Sequence, residues 1–105
     1  MSKHDIIAGV LLNEDTTFSV VDVCQYCHLS EDVLMEWIAH GLLGEQYHAN
    51  QTIQFDYQML DRIRTAHRLQ HDLDVNLQGA ILALELMDEM EKIRNELDIL
   101  KRIRM

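Results

Sequence analysis

The chain contains no proline and only four glycines in 105 residues, so little in it would break a long helix or require an open turn. Two cysteines are too few for a disulfide framework, and without an export signal they read as free thiols. No apolar run reaches membrane length. The stretch from Ile6 to Leu12 is too short to span a bilayer, and it lacks the basic start and small-residue cleavage site of a secretory signal. The expected location is therefore the cytoplasm, with no membrane partner. The scarcest commodity is positive charge: nine Lys and Arg stand against 18 Asp and Glu, a net of −9 with neutral histidines.

Apolar residues make up 48% of the chain, which is the composition of a folded protein. A single domain of this size buries roughly two thirds of the surface its unfolded chain exposes. The charge is unevenly spread. Residues 1–56 hold nine acids and one base, Lys3, for a net of −8; residues 57–105 hold nine acids and eight bases, for a net of −1. The first half is an acidic body, and the second is a charge-balanced helical region.

Residues 1–17 carry few anchors, and the pattern predicts fraying or a short strand. Ser19 is a helix cap, with Asp22 three residues on to complete a capping box. Val20, Val23, Cys24 and Cys27 follow at helical spacing. His28 and Leu29 make a turn, and Ser30 caps a second helix whose first turn carries Glu31 and Asp32, favourable at the positive end of the dipole. Val33, Leu34, Trp37 and Ile38 form its apolar face, with Trp37 read as core, and Gly41 ends it. Two short helices across a tight turn outline a helix-turn-helix. Residues 42–55 have no helical period, and two short apolar pieces around a polar centre predict a small β-hairpin, or wing. Asp56 caps a long helix over residues 57–73, with Met59, Leu60, Ile63, Ala66, His67 and Leu69 or Gln70 as its mostly apolar stripe. Residues 72–76 interrupt, and a last helix starts at Leu77. The expected organisation is an N-terminal segment, 1–17; a winged helix-turn-helix body, 18–75; and a C-terminal helix, 76–105. The fold class is mainly α.

Along the last helix Leu86, Met90, Ile93, Leu97 and Leu100 alternate steps of four and three, the seam of a coiled coil. Glu89 with Arg94, and Glu96 with Lys101, flank it where charges bridge between helices. Two heptads do not hold a dimer alone, so self-association as a homodimer would need help from the body. The other reading of the seam is that it packs back on its own domain.

The order of helix, turn, helix, wing, long helix and coiled-coil helix resembles the DNA-binding half of MerR-type regulators. A narrower resemblance lies in Arg68-Leu69-Gln70-His71-Asp72-Leu73, Gly79-Ala80-Ile81 and Ala83-Leu84-Glu85-Leu86-Met87-Asp88-Glu89-Met90. With Phe18-Ser19-Val20, Cys24 and His28-Leu29-Ser30-Glu31, these are similar to the chaperone-modulator family CbpM, over roughly residues 17–103. That resemblance implies an inhibitory partner of a DnaJ-like co-chaperone, CbpA, which binds the J domain and stops it from stimulating DnaK. It carries over no individual contact residue.

The charges bear on which use the fold serves. A winged helix-turn-helix binds DNA by neutralising phosphates with Lys and Arg on the recognition helix and wing. Residues 31–55 contain Glu31, Asp32, Glu36 and Glu45 and no lysine or arginine. Arg62, Arg64 and Arg68 lie on another helix. Nucleic acid is thus disfavoured, although a MerR-type DNA-binding regulator stays as the alternative function. A carboxylate surface suits a basic J-domain helix, and Asp22, Glu31, Asp32 and Glu36 are the candidate partner-binding residues. The plainer account of the same acids is that they are caps and solvated exterior.

Other motifs lead elsewhere. Cys24-Gln25-Tyr26-Cys27-His28 matches the pattern of covalent haem attachment, but that chemistry needs export, and Cys24 falls on an apolar face, so core packing accounts for it better. Zinc would need two ligands beyond Cys24 and Cys27; His28 is hard to orient, and His40 or His48 would serve only if the wing folded over. A thioredoxin-like reaction needs an α/β sheet. His67 and His71 sit four apart with no third ligand evident. No hydrolytic triad, phosphate loop or buried carboxylate pair is present. The expectation is an interaction protein with no cofactor, no metal and no catalysis.

Overall fold

The computed structural model describes residues 6–7, 10–11, 16–48 and 52–104 of the chain. Four helices follow a minimal N-terminal ladder. In that ladder β1 (Ile6–Ile7) pairs antiparallel with β2 (Val10–Leu11), Ile6 opposite Leu11 and Ile7 opposite Val10. The helices are α1 (Val20–Cys27), α2 (Glu31–Ala39), α3 (Tyr57–Leu73) and α4 (Leu77–Arg104).

Local hydrogen bonds set the starts of these helices. The Ser19 hydroxyl accepts from Asp22 N at 3.2 Å, and Asp22 Oδ2 accepts from Ser19 N at 3.0 Å, a reciprocal capping box. Ser30 Oγ accepts from Val33 N at 3.2 Å, and Asp56 Oδ1 from Met59 N at 2.8 Å. At α4, Asn76 Oδ1 accepts from Gly79 N at 2.8 Å. A side chain on Gly79 would crowd that cap, since its Cβ would lie 3.3 Å from both Asn76 Oδ1 and Val75 Cβ. Two residues in the left-handed region reverse the chain. His28 (φ 58°) ends α1, and Asp74 (φ 53°) ends α3. Gly41 (φ 94°) lets the chain leave α2, where a residue with a Cβ would be strained.

One core joins the elements. Val23 and Cys27 from α1, Leu34, Trp37 and Ile38 from α2, Leu60, Ile63 and Ala66 from α3, and Ala80, Ile81 and Leu84 from α4 are all buried. Trp37 packs at 6.4 Å between ring centroids from His67. Cys24, placed on this face by its spacing, is half-buried, and Cys27 is inside. Val33, expected on the inward face, is instead 36% exposed, since Leu34, Trp37 and Ile38 fill that side of the short helix.

The hairpin wing expected over residues 42–55 is not formed among its described residues, 42–48 and 52–55; its tip, 49–51, lies outside them. Hydrophobic burial is the reason. Leu42 and Phe55 are fully buried and Ile53 is 5% exposed, so these apolar pieces turn into the core instead of facing each other across a ladder. Gly44 N donates to Gly41 O at 3.1 Å, which uses the first piece as a tight turn. Phe55 takes its backbone partner from the far side of the chain, bridging Phe18 with bonds of 2.8 and 3.0 Å.

Candidate protein-binding surface

α2 occupies the place of a recognition helix, and its outward side is acidic. Glu31, Asp32 and Glu36 are exposed on it. Asp32 and Glu36 are four apart and share one face, opposite the buried Leu34 and Ile38. Glu36 lies 3.9 Å from His40 Nε2. Glu31 sits at the edge nearer α1, where its charge reinforces the effect of burial in raising the Cys24 thiol pKa. Asp22 is also exposed, but its carboxylate closes the α1 capping box, so its first role is local. Three of the four candidate acids therefore belong to one helix. Apolar surface accompanies them, because Val33 is 36% and Val21 59% exposed, a feature the helical pattern did not single out.

Two of the three arginines that could have compensated, Arg62 and Arg64, are engaged in contacts within the fold. Arg62 donates from Nε to Leu42 O at 2.7 Å and from Nη1 to Asp88 at 2.8 Å, tying the turn after α2 and the α4 helix to α3. Arg64 donates to Asp61 at 2.6 Å and to Tyr26 Oη at 2.9 Å, with its guanidinium 6.0 Å from the centre of the Tyr26 ring. Burial disfavours the Arg64 charge, but the hydrogen bonds it donates to Tyr26 and Asp61, with the Coulombic attraction of the same two groups, outweigh it and hold the side chain more firmly protonated than usual. Arg68 alone of the three is exposed. These contacts remove two of the three α3 cations from any role in gripping phosphate. Sequence spacing could not show them, since Tyr26 and Arg64 are 38 residues apart.

Of the C-x-x-C-H segment, Cys27 is buried and Cys24 half-buried, while His28 is exposed. Burial is the main cause raising the Cys27 thiol to about 11, opposed by nearby Arg64 and reinforced by Cys24. A protonated thiol is a poor nucleophile and a poor metal ligand. Among the described residues no group of three or more His, Cys, Asp or Glu side chains is placed to hold a metal ion. The raised pKa has a consequence for stability. The unfolded thiol ionises first, so its contribution is intact below about pH 8.5 and is lost as pH rises towards about 11. Urea melts at pH 8 and pH 11 should show a loss of roughly 2–3 kcal/mol that Cys27→Ala does not share; an equal loss in the variant would assign the alkaline sensitivity to other groups.

The seam residues Leu86, Met90, Ile93, Leu97 and Leu100 are 49–60% exposed along α4. None of them folds back onto the body. Met87, Ile99 and Ile103 add further exposed apolar surface to the same helix, Ile103 at 73%. Among the described residues no helix is long and apolar enough to cross a membrane.

Comparison with known proteins agrees with this frame. The model of the MerR HTH family regulatory proteins matches residues 18–102, covering the helix-turn-helix, α3 and nearly all of α4. The chaperone modulatory protein CbpM of Pseudomonas putida (strain W619) is 30% identical over 79 residues, 75% of this chain and 78% of the relative. The chain belongs to the CbpM family. The CbpM of Coxiella burnetii (strain Dugway 5J108-111) is 28% identical over 102 residues, 97% of this chain and 95% of its own length. That of Escherichia coli O139:H28 is 28% identical over 91 residues, 87% and 90% of the two chains. No solved structure matches. The chain matches the MerR HTH family model over its helical body, and its α2 carries carboxylates and no lysine or arginine.

Proposed function

We propose that this CbpM family member is a chaperone modulator that works in the cytoplasm by occupying the J domain of a DnaJ-like co-chaperone of the CbpA type, so that the J domain no longer stimulates DnaK. The observation that carries the reading is the cation-free α2 surface, with Glu31, Asp32 and Glu36 exposed and Arg62 and Arg64 spent on internal contacts. Such a surface repels a polyanion and attracts a basic helix, and its attraction acts mainly on the rate of encounter. Exposed Val21 and Val33 would supply the desolvated contact that long-range charge does not. The mechanism is competition for a surface; it requires no cofactor and no bond-making step. The same reading takes the protein as a homodimer, held through the α4 seam.

The test is direct. Purified protein titrated into a DnaK reaction stimulated by the J protein should return ATP turnover to the unstimulated rate while leaving the basal rate alone. Apparent affinity should weaken between 50 mM and 300 mM salt, as exposed charges are screened. Full J-stimulated turnover at saturating protein would sink the proposal. The alternative, a MerR-type DNA regulator, predicts retention of duplex DNA at physiological ionic strength.

A further inference from the structure

α2 is a short helix held at both ends. At its entry the chain turns through His28, with φ 58°, and Leu29 N donates to Cys24 O at 3.1 Å, which ties the start of α2 to α1. Just past its end Gly41 turns the chain inward, and Leu42 is fully buried. A carbonyl enclosed there needs a donor from the protein. Arg62 of α3 supplies one, donating from Nε to Leu42 O at 2.7 Å. The same guanidinium donates from Nη1 to Asp88 Oδ2 of α4 at 2.8 Å. Both nitrogens belong to one rigid plane, so the hold of Asp88 sets the direction in which Nε points.

We propose that Arg62 is a positioning residue for the α2 surface: it locks the exit of α2 to α3 through the Leu42 carbonyl, while Asp88 aims it. The part that concerns a partner rests on the function proposed above; the locking of α2 does not. That surface is built from two helices, with Val21 on α1 and Asp32, Val33 and Glu36 on α2. Close contact across both requires their mutual angle to be set before binding. α1 packs on α2 and on α3, so with the entry of α2 tied to α1 and its exit tied to α3 the angle is closed. Trp37 also meets His67 of α3, but a tilted ring contact tolerates rotation, and a hydrogen bond does not. Long-range attraction is indifferent to a small tilt of α2, whereas a fitted contact is not. The clamp therefore governs how long a partner stays, and the exposed charges govern how fast it arrives. The Asp88 side chain is 63% exposed, so as an ion pair alone it adds little stability.

Arg62→Lys, Asp88→Ala and Asp88→Asn decide it. Lysine keeps the charge but lacks the planar fork that meets both acceptors at once. The two Asp88 variants remove the same charge, and only asparagine leaves an acceptor. In the free protein, hydrogen–deuterium exchange over residues 31–44 should quicken about tenfold in Arg62→Lys, and less in Asp88→Ala, with α1 unchanged. Dissociation from a purified J domain should quicken roughly tenfold in Arg62→Lys and about threefold in Asp88→Ala, with Asp88→Asn within about twofold of wild type. Association rate and its salt dependence should match wild type in Arg62→Lys, and match each other in the two Asp88 variants. A merely structural loss would lower the melting temperature and the fraction of binding-competent chains, and leave the dissociation rate of that fraction alone. Asp88 is exposed, so its variants keep the test open should Arg62→Lys not fold. Unchanged exchange over residues 31–44 in the folded variants, an Asp88→Asn protein as impaired as Asp88→Ala, or an effect on association alone would each overturn the inference. A wild type that ignores the J domain would defeat the proposed function, and the exchange rates would still decide whether Arg62 locks α2.

Discussion

Phe55→Ala should lower stability by about 3–5 kcal/mol and the melting temperature by roughly 15–30 °C. Phe55 is fully buried and is among the largest enclosed side chains of the core. It sits where three parts of the chain meet: its backbone bridges Phe18 with two hydrogen bonds, its neighbour Asp56 caps α3, and its side chain is buried in the core cluster with Leu42 and Ile53. Truncation leaves a cavity that rigid helices on several sides cannot close, and in a domain whose whole margin is of order 5–15 kcal/mol that loss is severe. Phe18→Ala should cost clearly less, since Phe18 is only half-buried and its contribution to the bridge is main-chain. Thermal and urea melts of both variants would check the order. A loss below about 1 kcal/mol for Phe55→Ala would mean that residues 52–55 do not close the core.

The second large effect is on binding. Asp32→Lys/Glu36→Lys turns two exposed attractions into repulsions, and should weaken J-domain affinity by on the order of 10- to 100-fold at low salt. The loss should appear mostly in the association rate and shrink as salt rises, because the charges are exposed and lie within reach of screening. Folding should be nearly untouched. Only Asp32 lies in the first turn of α2, where a lysine faces the positive end of the dipole at a cost of about 0.3–1 kcal/mol. Unchanged affinity and unchanged salt dependence in a folded variant would return these acids to the role of solvated exterior.

These two predictions draw on different kinds of information. The acids of α2 could be picked out from the order of residues, because Ser30 three positions before Val33 sets the start of the helix and its period sets the outward side. The same holds for Asp56 before Met59 and for the box between Ser19 and Asp22, where each partner is three residues from the other. Phe55 is the opposite case. Alternating polarity around a polar centre is common to a hairpin and to two segments plugged into a core, and only the positions of Phe18, Leu42 and Ile53 separate them. Val33 likewise lies within the apolar pattern yet ends at the rim, because a helix of nine residues offers its core-facing side to only a few side chains.

Alone, the sequence determined the four helices, the N-terminal caps of the first three, the acidic and charge-balanced halves and the heptad seam. All of these arise from contacts three or four residues apart or from the counting of charge. Only the tertiary structure decided what residues 42–55 become, that the seam stands clear of the body, and that two arginines are consumed within the fold. Arg62 reaches partners 20 and 26 residues away and Arg64 one 38 residues away. Contacts at such separations have no period, and they exist only once hydrophobic burial has brought the helices together.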